Sequence, residues 1–379
     1  MSILNKNINY SYWELKQYFT EFDLIVVGAG IVGLSSAISY KNKNKKAKIL
    51  ILERGLLPNG ASTKNAGFAC FGSSSELIDD LSKNNSETVW ETVLMRWQGL
   101  QILRKRLGDK GIDLNLWGGY ELFDSKENKI KSLEKIQDLN KEIYQYLGLK
   151  NCFSEYTKNN FGFKNTKGII LNKYEGQIDT GLMMQNLLLL AQKKGITVLN
   201  NIEIKAINDL GGKVELKSIN GVFKAKKVVV ATNGFANELL KINNIKPARA
   251  QVLITKTISQ LKIKGTFHYQ EGYYYFRNIK NRLLFGGGRN INFKKEETTE
   301  IGMNLKIQNH LDYLLKTMIL PNTAFEIEHR WSGIMGVGSE KKPIIKPISN
   351  NVIAAVRMGG MGIAIGSKVG EIVAKILKD

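Results

Sequence analysis

Phe22-Asp-Leu-Ile-Val-Val-Gly-Ala-Gly-Ile-Val-Gly-Leu34 is the stretch that decides the fold. Phe22–Val27 is apolar and rich in β-branched residues, the composition of a strand covered on both faces. Gly28, Gly30 and Gly33 follow in the spacing Gly-x-Gly-x-x-Gly, and Leu34–Tyr40 reads as the helix they open. Lys41–Lys46 is a polar turn, and Ala47–Leu52 is a second strand that ends at Glu53, 20 positions beyond Gly33. Gly28 permits the tight turn, Gly30 lets the backbone approach a pyrophosphate, and Gly33 lets helix and strand pack closely. Ile31 and Val32 fall in the first helical turn, where free N–H groups and the positive end of the helix dipole favour a diphosphate. Glu53 is placed to accept from ribose hydroxyls. Its charge disfavours a 2′-phosphate, which puts FAD or NAD ahead of NADP.

Outward from this unit, residues 55–75 are rich in Gly, Ser and Ala, and residues 76–150 are mostly helical and charged, with a strand predicted at Gly119–Phe123. Asp179–Lys194 reads as an amphipathic helix. Short strands are predicted at Ile196–Asn200, Ile202–Ile207 and Lys213–Ile219, and the buried run Lys227-Val-Val-Val-Ala-Thr-Asn-Gly234 ends in a tight turn. Residues 248–295 alternate as antiparallel strands do, over Ala250–Thr257, Gly272–Arg277 and Leu283–Gly287. Glu300–Leu315 is helical. The chain closes with strand Val352–Val356, the glycine turn Met358-Gly-Gly-Met-Gly362 and a helix from about Ile363. The strand–helix–strand start and the strand–turn–helix end belong to one parallel sheet, with the antiparallel middle as an inserted second domain.

The 379 residues, 43% hydrophobic and 23% charged, are an ordinary globular composition and suggest two or three domains. Cys70 and Cys152 are too few for a disulfide framework. With His268, His310 and His329 they show no ligand spacing, so no metal is expected. No apolar run reaches the roughly 20 residues of a membrane helix, and the N-terminal 22 residues do not resemble a signal peptide. A reducing cytoplasm is the expected location. The net charge is +21, yet only 10 of the 55 basic residues are Arg, which reads as a compositional lysine bias.

Glu53-Arg-Gly-Leu-Leu-Pro-Asn-Gly-Ala-Ser-Thr-Lys-Asn-Ala-Gly-Phe68 resembles the loop that runs under the flavin in the D-amino-acid oxidase, glycine oxidase and sarcosine oxidase superfamily. Lys227–Gly234, Pro247-Ala-Arg-Ala-Gln-Val-Leu253, and Trp331-Ser-Gly333 through Gly359-Gly-Met-Gly362 match further segments of that family in the same order. The resemblance implies an α/β fold, with a Rossmann-like FAD-binding domain and a discontinuous antiparallel α+β substrate domain. The expected bounds are 22–80, 172–246 and 328–379 for the first and 81–171 and 247–327 for the second, after an N-terminal helical extension over 1–21. It implies FAD contacts from Gly28, Gly30, Ile31, Val32, Gly33, Glu53, Arg54, Gly60, Ala61, Ser62, Asn65, Ala66, Gly67 and Ile204. Ala231, Thr232, Gly234, Trp331, Gly333, Gly359, Gly360, Met361, Gly362 and Ile363 complete the set. Members that bind flavin covalently use a cysteine near the Trp-x-Gly segment or an N-terminal histidine; neither residue is here, so non-covalent FAD is expected.

The implied reaction is oxidation of a carbon–nitrogen bond in an amine or amino acid. Hydride passes to flavin N5, and the imine is then hydrolysed. Such chemistry needs positioning and a dry pocket more than a nucleophile. Amino-acid-oxidising members carry a carboxylate-binding arginine where this chain has Met335, so Arg277, Arg289 or Arg330 would have to replace it. Sarcosine oxidase-like members carry an oxygen-promoting lysine where this chain by count offers Phe285, which leaves O2 or another electron acceptor. Tyr273, Tyr275 and Arg277 share one face of a strand by their period of two and form the expected substrate wall. From Leu239 to Lys295 there are twelve basic residues and one acid, Glu271. A patch of that kind suits RNA, and one branch of the superfamily oxidises a wobble-uridine substituent of transfer RNA. A nucleic-acid partner and a non-catalytic basic nucleotide-fold binding protein therefore stand as rival readings beside the amine or amino-acid substrate.

Overall fold

The structure, a computed structural model, describes residues 9–158 and 160–377; the first eight residues of the expected N-terminal extension lie outside that range. Two sheets of eight strands carry the chain. In the first, strands Glu21–Val27, Ile49–Leu52, Gly221–Val230, Val352–Val356 and Thr197–Leu199 run parallel. Strand Ile344–Pro347 and the meander Ile204–Asp209 and Val214–Ser218 join antiparallel. Alternate residues explain the layering: Leu24 and Val26 face a core shared with helices, while Ile25 and Val27 face the core under the meander. The central strand is covered on both sides, as its uninterrupted apolar run predicts.

Helix Ile31–Lys43 packs on the C-terminal helix Gly362–Ile376 at glycine contacts. A Cβ at Gly370 would stand 2.5 Å from the Ser35 backbone, and one at Gly366 would stand 2.7 Å from the Ile31 side chain. The long helix Ser86–Leu107 joins the same layer: a Cβ at Gly99 would stand 2.0 Å from the Ala364 carbonyl, and Leu100 and Leu103 enter the first core. Helix 86–107 therefore bridges the two halves: Leu100 and Leu103 enter the first core, while Val89, Trp90 and Val93 pack with Phe123, Ile136 and Ile170 of the substrate half to which the 81–171 boundary assigns them. A charged helical pattern shows that a helix forms, not which sheet it covers.

The second sheet has the strand order Ile327–Val337, Lys246–Thr255, Arg282–Gly287, Tyr274–Ile279, Thr266–Tyr269, Gly119–Phe123, Gly168–Asn172, Phe153–Glu155. It is antiparallel except where 266–269 runs parallel to 119–123. Strand 327–337, expected in the FAD-binding half, pairs along its length with 246–255 and so belongs to this sheet. Its outer face buries an aromatic core, with the Phe267 and Phe276 rings stacked at 4.8 Å. Phe285 turns into the same core, edge-on to Phe276 at 5.9 Å, so it does not take the place of the expected lysine. The predicted helix over 300–315 begins at Leu305 and continues as a π turn to Ile319.

Candidate functional site

A cavity of about 430 Å³ runs from the first sheet to the inner face of the second. At one end, Gly28 turns the chain with φ +104°, a conformation L side chains rarely adopt. A Cβ there would come within 2.9 Å of the Ala231 carbonyl, and one at Gly30 within 2.7 Å of Ser62 Oγ. Gly33 lies behind the turn, where a Cβ would strike the Gly28 carbonyl; it spaces helix from strand and does not line the cavity. The Ile31 N–H donates to Ser62 Oγ at 3.0 Å, which ties the glycine-rich loop to the helix N-terminus. Glu53, at the end of the second strand, accepts from the N–H groups of Ala29 and Gly55, each at 3.0 Å. These bonds aim a buried carboxylate into the cavity wall. Thr232 Oγ1 is buried there without a partner among the described residues. Bare glycines, an acid at the second strand's end and an orphaned hydroxyl fit an adenine dinucleotide such as FAD.

Arg54, Gly60, Ala61, Ser62, Asn65, Ala66 and Gly67 line the next stretch, with Ile204, Ala231, Gly333 and the turn Gly359–Ile363. Asn65 holds the loop in shape. Its Nδ2 donates to the carbonyls of Ala61 and Ser62, and its Oδ1 accepts from Gly67 N–H at 2.9 Å and Thr180 Oγ1 at 2.7 Å. Trp331 is not in the wall; its Nε1 donates to the Lys64 carbonyl at 3.0 Å and supports the loop from behind. Gly234 also stands behind, against the Met335 carbonyl.

Of the five residues expected to meet substrate, Tyr273, Tyr275 and Met335 line the cavity. Arg277 does not. Two residues beyond Tyr275 on the same strand face, it meets the loop instead: Nε donates to the Ala66 carbonyl and Nη2 to the Ile178 carbonyl at 3.0 Å. Burial lowers its pKa to about 10. Arg330 lies on the opposite face of its strand, where it donates to Asp312 at 2.9 Å and to Gln308. Of the three candidate arginines, Arg289 is the one that reaches the cavity, stacked 4.8 Å over the Phe293 ring and without an ion pair among the described residues. Burial lowers its pKa as well.

The ionisable residues in the wall that carry no role in the sequence reading include His268, Glu76 and Lys341. Burial alone would raise the Glu76 carboxyl, but Lys341 Nζ at 2.9 Å and Arg96 at 3.5 Å hold it down to about 2. His268 meets Glu175, a fully buried carboxylate. Burial would lower the imidazole; Glu175, Glu121 and Glu76 more than offset it and raise it. Cys70 brings its thiol within 4.8 Å of the donor atoms of both. Burial pushes that thiol up, which keeps it neutral, and His268 Nε2 is taken up by Glu175. This favours a hydrogen-bonded group over a metal centre. The signal for His268 was its place two residues before the Gln270–Gly272 turn, which sets it across from Tyr275.

The family described as DAO, FAD dependent oxidoreductase, matches residues 23–376. The chain is 22% identical over 372 residues to the probable oxidoreductase OrdL of Haemophilus influenzae, covering 94% of this chain and 82% of that protein. It is 24% identical over 376 residues to the gamma-glutamylputrescine oxidoreductase of Escherichia coli, covering 94% and 83%. The L-proline dehydrogenase structure from P. horikoshii superposes with a TM-score of 0.76 at 19% identity, covering 94% of this chain and 93% of that one, and shows the same fold. Among the described residues, no helix is long and apolar enough to cross a membrane.

Proposed function

The chain belongs to the FAD dependent oxidoreductase family, and we propose that it oxidises the carbon–nitrogen bond of an amine or amino acid with non-covalently held FAD. One observation carries this reading: a single cavity joins the Gly28–Glu53 unit to the wall of Tyr273, Tyr275 and Met335. Gly28, Gly30 and the first turn of helix 31–43 would hold the pyrophosphate, Glu53 the ribose, and loop 60–67 with turn 359–363 the flavin. When bound, FAD supplies a hydride acceptor for the carbon next to nitrogen, and the resulting imine is hydrolysed. The protein's own part is to position the substrate and keep water out. The two tyrosines and Met335 present apolar surface, and Arg289 offers a fork to a carboxylate if the substrate carries one. The E. coli relative's name denotes an amine and the P. horikoshii protein's an amino acid, which supports the class and not a particular member of it.

Partial neutralisation of the basic segment within the fold weighs against a nucleic-acid partner. Lys246, Arg249, Lys256 and Arg282 pair with Glu297, Glu296, Glu326 and Glu328, and Arg277 is buried. Acid precipitation tests the cofactor: intact FAD should be released, and flavin left on the precipitate overturns non-covalent binding. Anaerobic mixing with L-proline, glycine, N-methylglycine, putrescine, gamma-glutamylputrescine and hypomodified tRNA tests the reaction. One of the amines or amino acids should bleach the flavin; bleaching by tRNA alone overturns the reading.

A further inference from the structure

We propose that His268 takes the proton from the substrate's ammonium nitrogen, with Glu175 as the positioning carboxylate behind it; this rests on the amine-oxidation reading above. An amine in water near neutral pH is mostly an ammonium ion, whose nitrogen has no lone pair to assist loss of hydride from the neighbouring carbon. A group in the cavity has to accept that proton first.

The sheet register places His268 for this. In the second sheet His268 lies opposite Tyr275 on one side and Glu121 on the other, so the three side chains share the inner face. Tyr275 and His268 both line the cavity, and the Phe68 ring touches each edge-on, at 5.9 and 5.2 Å. Glu175 reaches the far side of the imidazole from the turn between strands 168–172 and 176–177. Its Oε1 accepts from Nε2 and from Thr266 Oγ1 at 3.1 Å. Glu175 is 0% exposed and has no lysine or arginine partner among the described residues, so it is free to stabilise positive charge on the imidazole.

That contact sets the tautomer. With its proton on Nε2 and held by Glu175, neutral His268 carries its lone pair on Nδ1, which makes no hydrogen bond among the described residues. In the transfer, one N–H bond of the ammonium breaks and an H–Nδ1 bond forms. The electron pair stays on the amine nitrogen, and Glu175 offsets the charge of the new imidazolium. The proton leaves later to solvent, and nothing is oxidised or reduced in this step.

The groups facing His268 fix where it works. Glu175, Glu121 on the neighbouring strand and Glu76 on helix 74–83 raise it; Cys70 stays neutral, and Lys341 and Arg96 are engaged with Glu76. The neutral, proton-accepting form therefore gains above the ordinary imidazole value, and activity should rise with pH there.

With three histidines in the chain, carbon-13 histidine NMR on the FAD-loaded protein can follow His268, assigned by its loss in His268→Gln. Its midpoint should lie above about 6.5 and fall by about one unit or more in Glu175→Gln. A midpoint at or below that value, or one unmoved by Glu175→Gln, overturns the proposal. If Glu175→Gln does not fold, His268→Gln decides. Flavin reduction by the fastest amine of the panel should lose its rising pH limb and slow about 10²-fold at neutral pH, with FAD content kept. A wild type that bleaches beside a His268→Gln variant that keeps the limb overturns this assignment alone. Failure of every amine to bleach the wild type overturns the amine reading and the assignment with it.

Discussion

Replacing Arg277 by Met removes the guanidinium that joins two chain segments under the cavity. Its Nε and Nη2 hold the carbonyls of Ala66 and Ile178, one from the flavin loop and one from the start of helix Thr180–Lys193. A hydrogen bond to a charged group contributes about 1.5–3 kcal/mol, and a buried carbonyl left alone costs about 1–3 kcal/mol. Losing the pair should cost about 3–5 kcal/mol. Relief of the guanidinium's own burial, visible in a pKa lowered to about 10, returns part of it, so a net loss of about 2–4 kcal/mol is expected. Urea unfolding reads this directly, and FAD titration reads the loop, because Ala66 and Gly67 line the cavity. The variant should unfold at lower urea and bind FAD more weakly, while carboxylated and decarboxylated substrates slow alike. A variant with wild-type unfolding and FAD affinity, slowed only toward carboxylated amines, would refute this reasoning and return Arg277 to the substrate.

Three further outcomes are expected. Gly30→Val should give folded protein with little FAD, because the added side chain strikes Ser62 Oγ and unseats the loop; normal flavin occupancy would mean the fingerprint does not hold the diphosphate. Glu76, lowered from 4.5 to about 2, contributes roughly 3 kcal/mol that is present above pH 4.5 and is lost as pH falls toward 2. Urea midpoints at pH 6 and pH 3 should therefore converge more in Glu76→Gln than in the wild type, and an equal acid loss in both would contradict the ion-pair network. Replacing Lys256, Lys262 and Lys264 by Gln should leave the salt dependence of tRNA binding unchanged, since Lys256 is held by Glu326 and Lys264 lies over Trp117. A log–log slope reduced by about 0.7–0.9 per lysine would restore the RNA reading.

What could be read from the chain alone divides along a physical line. The Gly28–Glu53 unit was legible because every constraint in it is local: period, turn and spacing act within about 30 residues. The aromatic wall was legible for the same reason, since period two alone sends Tyr273 and Tyr275 to one side. Arg277 shares that side, yet the same periodicity could not say what stands opposite it. The answer, Ala66 in the loop and Ile178, comes from 211 and 99 positions away. Arg289 was named only as one of three cations, and its choice depends on where a glycine turn at Gly287 and Gly288 releases the strand into the cavity. The His268–Glu175 pair spans 93 positions and joins a strand to a turn far from it in sequence. Each half looks ordinary alone: a histidine in a strand, and an acid in a turn. Only the sheet register, with 119–123 seated between 266–269 and 168–172, brings a buried carboxylate behind an imidazole. Local rules thus placed the nucleotide end of the cavity, while the end where chemistry is expected depends on contacts between strands far apart in the chain.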